Sequence, residues 1–341
     1  MSAERSPAVE EQKRKGLRVA FAVSIGFTFA VYVGAIVPFL GPLFAAQFLL
    51  GSSRPMPLGK TVGAAMVILI AGIGMMVLTN VLGDRPAPFL LILGLTYFAC
   101  FAAQSTGKGG AAVFLVLVVS IIVPLLGILN KELANSILSI LVAGVLSGTV
   151  LMWLAYAVFP EPFSREVEAR IDERPPALGR ALANTVILLG SVVICLTSDN
   201  LTVAVVIPIT VASLLGQLDV AASARVAIGL VLVNLFGGML ASIAYAALSL
   251  RPNLLSIFLI VLVVVLFIGG RAAARSKDAP VFAGALTTFL ILFGLGVSPL
   301  PGSAAESFAT RIVYVAVALI YALLFAVILW PRTRETKRIS A

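Results

Sequence analysis

The chain has 341 residues, 60% of them hydrophobic and only 11% charged, with a mean hydropathy of +1.11. A soluble domain carries about 25% charged residues, so a water-soluble globular protein is excluded and an integral membrane protein is expected. One membrane-spanning helix takes about 20 apolar residues, so this length holds about a dozen and leaves no room for a large soluble domain.

The chain has no histidine. That removes HExxH zinc sites, Ser-His-Asp hydrolases and histidine proton relays. Most membrane-embedded hydrolases and acyltransferases need one of these, so no enzyme, cofactor or metal is expected. Cys100 and Cys195 both lie in apolar runs and read as buried, inert thiols.

Residues 1–16 are polar and read as a disordered cytoplasmic tail. No signal peptide is expected, because the apolar stretch from Leu17 runs far past a short h-region and many more spans follow. The predicted spans are 18–37, 39–50, 60–81, 88–106, 110–129 and 136–159, then 180–197, 201–216, 225–248, 253–270, 279–297 and 308–330. The fold class is therefore an all-α polytopic membrane protein with about twelve transmembrane helices. Between the two sets, 161–179 is a polar linker in which Phe163, Val167 and Ile171 recur at helical spacing. A short amphipathic helix on the inner leaflet fits this segment, and so does a solvated connector. Residues 332–341 form a second cytoplasmic tail.

Charge tests this order. With the N-terminus in the cytoplasm, 20 basic residues fall on the inner side and four on the outer, namely Arg85, Lys131, Arg251 and Arg311. Such a split predicts an even number of spans and two cytoplasmic termini. The net charge of +9 is thereby an orientation signal, and no nucleic-acid partner is needed to explain it.

An internal repeat is also expected. An offset of about 165 residues lays Gly51 on Gly216, Lys60 on Arg225 and Gly72 on Gly237. Slightly larger offsets bring Arg85-Pro86 onto Arg251-Pro252, Glu132 onto Glu306 and Pro160 onto Pro331. Two parallel six-helix repeats follow, 17–160 and 180–331, related by an axis along the membrane normal.

Several residues are candidates for the path of a transported molecule. Residues 19–50 are one uncharged run of 32, too long for one helix and short for two, broken by Pro38, Gly41 and Pro42. In the second half, 181–218 holds a single charge, Asp199, within Thr197-Ser198-Asp199-Asn200, with Pro208 further on. Interrupted segments at matching places in two repeats mark a transporter's binding site. Asp199 would either carry a proton during transport or cap the next helix as a turn residue with Asn200 and Thr202. Arg85, Arg251, Glu132 and Glu306 stand at the outer ends of spans, where they pair, attract anions or anchor helix ends. Gly144–Gly148 forms a GxxxG that reads as packing. The segment 51–61 ends like a phosphate-binding loop, but Arg54 stands where the first glycine belongs, so it reads as a cytoplasmic turn with a basic anchor.

The basic approach, the first helical pair broken at Pro38-Phe39 and Gly41-Pro42, and Gly59-Lys60-Thr61 opening the third helix resemble the fusaric-acid-resistance and aromatic-acid-exporter superfamily. The plant aluminium-activated malate channels are similar in their six-helix membrane unit. The resemblance implies a bacterial inner-membrane efflux component for aromatic or other hydrophobic organic anions, acting with a periplasmic adaptor of the membrane-fusion type. Larger members carry a cytosolic domain after each six-helix unit; here only 161–179 and the tail after Trp330 occupy those places, as in a short branch.

The expected function is thus a proton-driven exporter, partnered by lipid, a small organic anion and an adaptor; whether copies of the chain associate is left open. The alternatives are a passive anion channel and a non-transporting membrane scaffold. A major-facilitator transporter is disfavoured, because GSSRPMPLGK lacks that family's GxxxDRxGRR-like loop.

Overall fold

The computed structural model describes residues 7–52, 54–106, 110–129, 131–160, 177–197, 206–220, 224–274, 276 and 278–298, with 313, 317–318, 320–322, 324–326 and 328–329 of the last apolar run. Every regular element among them is an α-helix. In chain order these are α1 Pro7–Tyr32, α2 Leu40–Gly51, α3 Leu58–Leu82, α4 Pro86–Ser105, α5 Gly110–Leu129 and α6 Lys131–Val158. Then follow α7 Leu178–Leu196, α8 Val206–Val220, α9 Ala224–Leu250, α10 Leu254–Ala272 and α11 Ala279–Val297. A segment in hydrocarbon must satisfy its backbone polar groups internally, and a helix does so within one run of sequence. Seven described helices are long and apolar enough to cross a membrane, by length and composition: Glu10–Tyr32, Leu58–Leu82, Pro86–Ser105, Ser136–Val158, Leu178–Leu196, Leu254–Ala272 and Ala279–Val297. With apolar side chains such as Met66, Ile70, Ile73, Val77 and Val81 facing outward from α3, these helices mark a helical membrane protein.

Two expectations need correction. Residues 7–16, expected in the disordered tail, are the first turns of α1. Pro7 opens the helix, where its missing N–H costs nothing, and Glu10 pairs with Arg14 one turn on, at 3.0 Å. The first span was expected to reach residue 37, but α1 stops at Tyr32. Gly34 takes a left-handed φ of 70°, its N–H bonds to Val31 O, and the N–H of Ala35 bonds to Ala30 O. This paired arrangement closes a helix and needs the freedom of glycine. Pro38 then disfavours a helical Val37. Of the linker 161–179, residues 161–176 lie outside the described residues.

Helix ends that touch one another fix the direction of the chain. Lys15 donates to Leu50 O at the end of α2, and Arg18 donates to Phe159 O just past α6. Gly16 lies against Gly270 near the end of α10, and the Trp153 indole donates to Met56 O ahead of α3. The start of α1 thus shares one end of the bundle with the C-terminal ends of α2, α6 and α10. At the opposite end the Ser298 hydroxyl donates to Ile36 O.

Packing partners recur in a regular way. Helix α1 lies along α2 and α10, while α7 lies along α8 and α4. Helix α5 receives α3 and α4, and α11 receives α9 and α10. Close approaches use glycine. The GxxxG expected to be a packing feature is one: Gly144 and Gly148 receive Leu40, Gly41, Phe44 and Ala45 of α2.

This generates a stability test. A Cβ on Gly148 would stand 2.7 Å from Phe44 Cβ, 2.9 Å from Gly41 O and 3.0 Å from Ala45 N, two of them backbone atoms. Gly148→Ala should therefore push α2 off α6 and cost about 1–3 kcal/mol, the usual price of overpacking. Gly74, with open space where a Cβ would go, is the control. Thermal unfolding in detergent should fall for Gly148→Ala and hold for Gly74→Ala.

Candidate functional site

At 1.5 Å per residue the twelve residues of α2 reach about 18 Å, well short of a hydrocarbon core about 30 Å thick. Over its described residues Val206–Val220, α8 reaches about 22 Å. Each carries a buried proline as its third residue, Pro42 and Pro208. In α2 the missing N–H of Pro42 removes no intrahelical bond, and the two prolines are related by the offset that joins Arg85 to Arg251. Both short helices pack against α5 and α11, so these four elements meet inside the molecule.

Helix α2 is buried over Leu40–Ala46 and again at Phe48 and Leu49. Between these stands Gln47, which keeps part of its surface accessible. Its Nε2 donates to Thr287 Oγ1 of α11 at 3.0 Å, and the same hydroxyl donates to Ala283 O at 3.0 Å. Thr287 is buried, 5% exposed. With its proton spent on Ala283, its lone pairs turn toward α2 and fix the amide. Away from this face, α11 builds an aromatic column: Phe289 stacks on Phe293 at 5.5 Å, and Phe27 of α1 meets Phe293 at 5.4 Å. Phe39 covers Gly294 where α2 begins. These rings are buried and hold α1, α2 and α11 together.

The structure places the residues expected from the sequence as follows. Pro38 is buried in the break before α2, and Pro42 and Pro208 lie in the two short helices. Arg85 and Arg251 are exposed, directly ahead of Pro86 and Pro252 at the starts of α4 and α10, at the end of the bundle opposite the start of α1. They are helix-end residues and do not join the inner site. Thr197 is exposed just past α7, where its hydroxyl returns to Ile194 O. Glu132 lies in the first turn of α6. Asp199, Asn200 and Glu306 fall outside the described residues. Within 51–61, residues 54–57 lead into α3, with Arg54 and Lys60 exposed, and the Trp153 bond to Met56 O ties them down.

Three residues escaped the sequence reading. Gln47 is the only hydrogen-bonding side chain in the run from Pro38 to Gly51, and that isolation was the available signal. Thr287 carried none, since its partner lies 240 positions away. Arg18, counted only as an orientation charge, is 2% exposed, with its guanidinium 4.4 Å over the Tyr156 ring.

Cys100 and Cys195 are buried free thiols, as the sequence suggested. N-ethylmaleimide should label neither in the folded protein in detergent, and both once it is unfolded. Mass spectrometry reads the difference, and labelling of folded protein at either position would contradict the packing of α4 against α7.

Residues 15–155, from the first turns of α1 through most of α6, match the model of a family described as protein of unknown function (DUF2955). Neither the curated proteins nor the solved structures gave a match to the chain.

Proposed function

We propose that the chain is an inner-membrane exporter of aromatic or hydrophobic organic anions, with a path that runs between α2 and α8. Its membrane unit is two parallel six-helix halves, 17–160 and 180–331, both beginning in the cytoplasm. The observation that carries this reading is the pair of short helices, each with a proline as its third described residue at matching places, both packed onto α5 and α11. Discontinuous helices deep in a membrane protein line binding sites, because irregular backbone is tolerated there only inside protein or beside water. The matched packing supports the two halves: α1 on α2 answers to α7 on α8, α3 on α5 to α9 on α11, and α1 on α10 to α7 on α4.

Substrate class, export direction and a periplasmic adaptor come from the resemblance to aromatic-acid exporters. Asp199, between α7 and α8 in the chain, is the proposed proton carrier. Arg85 and Arg251 offer anions their first charge contacts at the outer mouth, an effect that salt screens.

Topology is tested by reporter fusions: a fusion after Asp84 should read periplasmic and one after Ser276 cytoplasmic. The reverse at residue 276 would break the two-halves arrangement. Function is tested in proteoliposomes with an imposed proton gradient and a labelled aromatic carboxylate. The wild type should move substrate against its gradient. Asp199→Asn should insert normally and keep counterflow exchange while losing gradient-driven transport. Full pH-dependent transport by Asp199→Asn would return that residue to a capping role and favour the passive channel. No flux by the wild type would favour a scaffold.

A further inference from the structure

We infer that Gln47 is the residue through which the inner site reads the polar head of its substrate, with Thr287 as its positioning residue. This rests on the transport reading above and adds to it a named contact.

An amide is costly in a membrane interior. A carboxamide has two N–H donors and one carbonyl acceptor, and leaving them unbonded away from water is expensive. Among the described residues, Gln47 makes one hydrogen bond, that to Thr287. Its carbonyl Oε1 and second N–H remain. They are not sealed in, because Gln47 keeps accessible surface while Ala46 and Phe48 on either side are 3% and 4% exposed. The opening continues on α11, where Ala283 and Ile291, one turn to either side of Thr287 on the same face, also keep accessible surface. Among the described residues, the aliphatic side chains Ala283 and Ile291 thus flank the Gln47–Thr287 pair on the face that α11 turns to α2.

An apolar site with one oriented polar group selects ligands that are mostly hydrophobic with one matching polar end. A carboxylate accepts the free N–H, whereas a ligand with no acceptor leaves the amide unspent and is penalised. The Thr287 hydroxyl, already donating to Ala283 O, cannot turn its proton on Gln47 without breaking that bond. It therefore holds the amide in one orientation.

The test uses labelled benzoate in proteoliposomes, with toluene as the competitor that has the ring but no hydrogen-bond acceptor. Gln47→Leu keeps the volume and removes the amide. It should raise the KM for benzoate about tenfold or more, the scale of one hydrogen bond to a charged group, and should erase the preference for benzoate over toluene at unchanged kcat. Thr287→Val should shift KM in the same direction by less, and Thr287→Ser should match wild type. Should Gln47→Leu fail to insert, Gln47→Cys replaces it: N-ethylmaleimide should label it, and benzoate should slow the labelling. A Gln47→Leu protein with wild-type KM and wild-type preference overturns the inference while leaving the transport reading standing, as does an unlabelled or unprotected Gln47→Cys. If the wild type itself moves no benzoate, it is the substrate reading that falls.

Discussion

A helix too short to cross a bilayer must end inside protein, and that constraint organises this molecule. The twelve residues of α2 cannot expose either end to hydrocarbon, because each end leaves unsatisfied backbone groups. The fold encloses the helix on its flanks with α1 and α6 and touches it with α5 and α11. Glycines make that enclosure close enough. Gly144 and Gly148 let the α2 backbone settle onto α6, which is why a methyl group at Gly148 is expected to push α2 away. Hydrophobic burial does not drive helix association in lipid, so tight packing of small residues and satisfied polar ends must carry it.

The polar ends are satisfied from α1. Lys15 and Arg18 lie three residues apart, and each reaches the C-terminal end of a different helix, Leu50 O of α2 and Phe159 O beyond α6. A cation at a helix C-terminus meets both the unpaired carbonyls and the negative end of the dipole. Burial of Arg18 is then intelligible: its Nε is spent on a carbonyl and its guanidinium lies over Tyr156, so it is not stranded charge. The basic residues that the sequence offers as orientation signals thus include two with structural work.

Much of the fold was legible because membrane helices announce themselves by uninterrupted apolar length. The expected bounds 110–129 and 279–297 coincide with α5 and α11, and 39–50 lies within one residue of α2. The errors fell where local chemistry overrides hydropathy. Polar residues 7–16 are helical because they extend an existing helix, and α1 stops early because Gly34 closes it, although the apolar run continues. The candidate site was half legible. Prolines mark the breaks within one stretch of sequence, so Pro38, Pro42 and Pro208 could be found. The bond from Gln47 to Thr287 joins distant parts of the chain and has no local signature.

That bond also breaks the likeness of the proposed halves. Counted from the matched prolines, the residue answering Gln47 is Ser213; counted from Gly51 and Gly216, it is Ala212, which is fully buried. Neither has an amide. The two short helices therefore share a proline and the packing partners α5 and α11, but not the amide. A near-symmetric frame lets two halves exchange equivalent arrangements about an axis, whereas a ligand with one polar end needs a site with one polar side. The amide on α2 is tolerated because the buried Thr287 hydroxyl of α11 accepts one of its N–H groups.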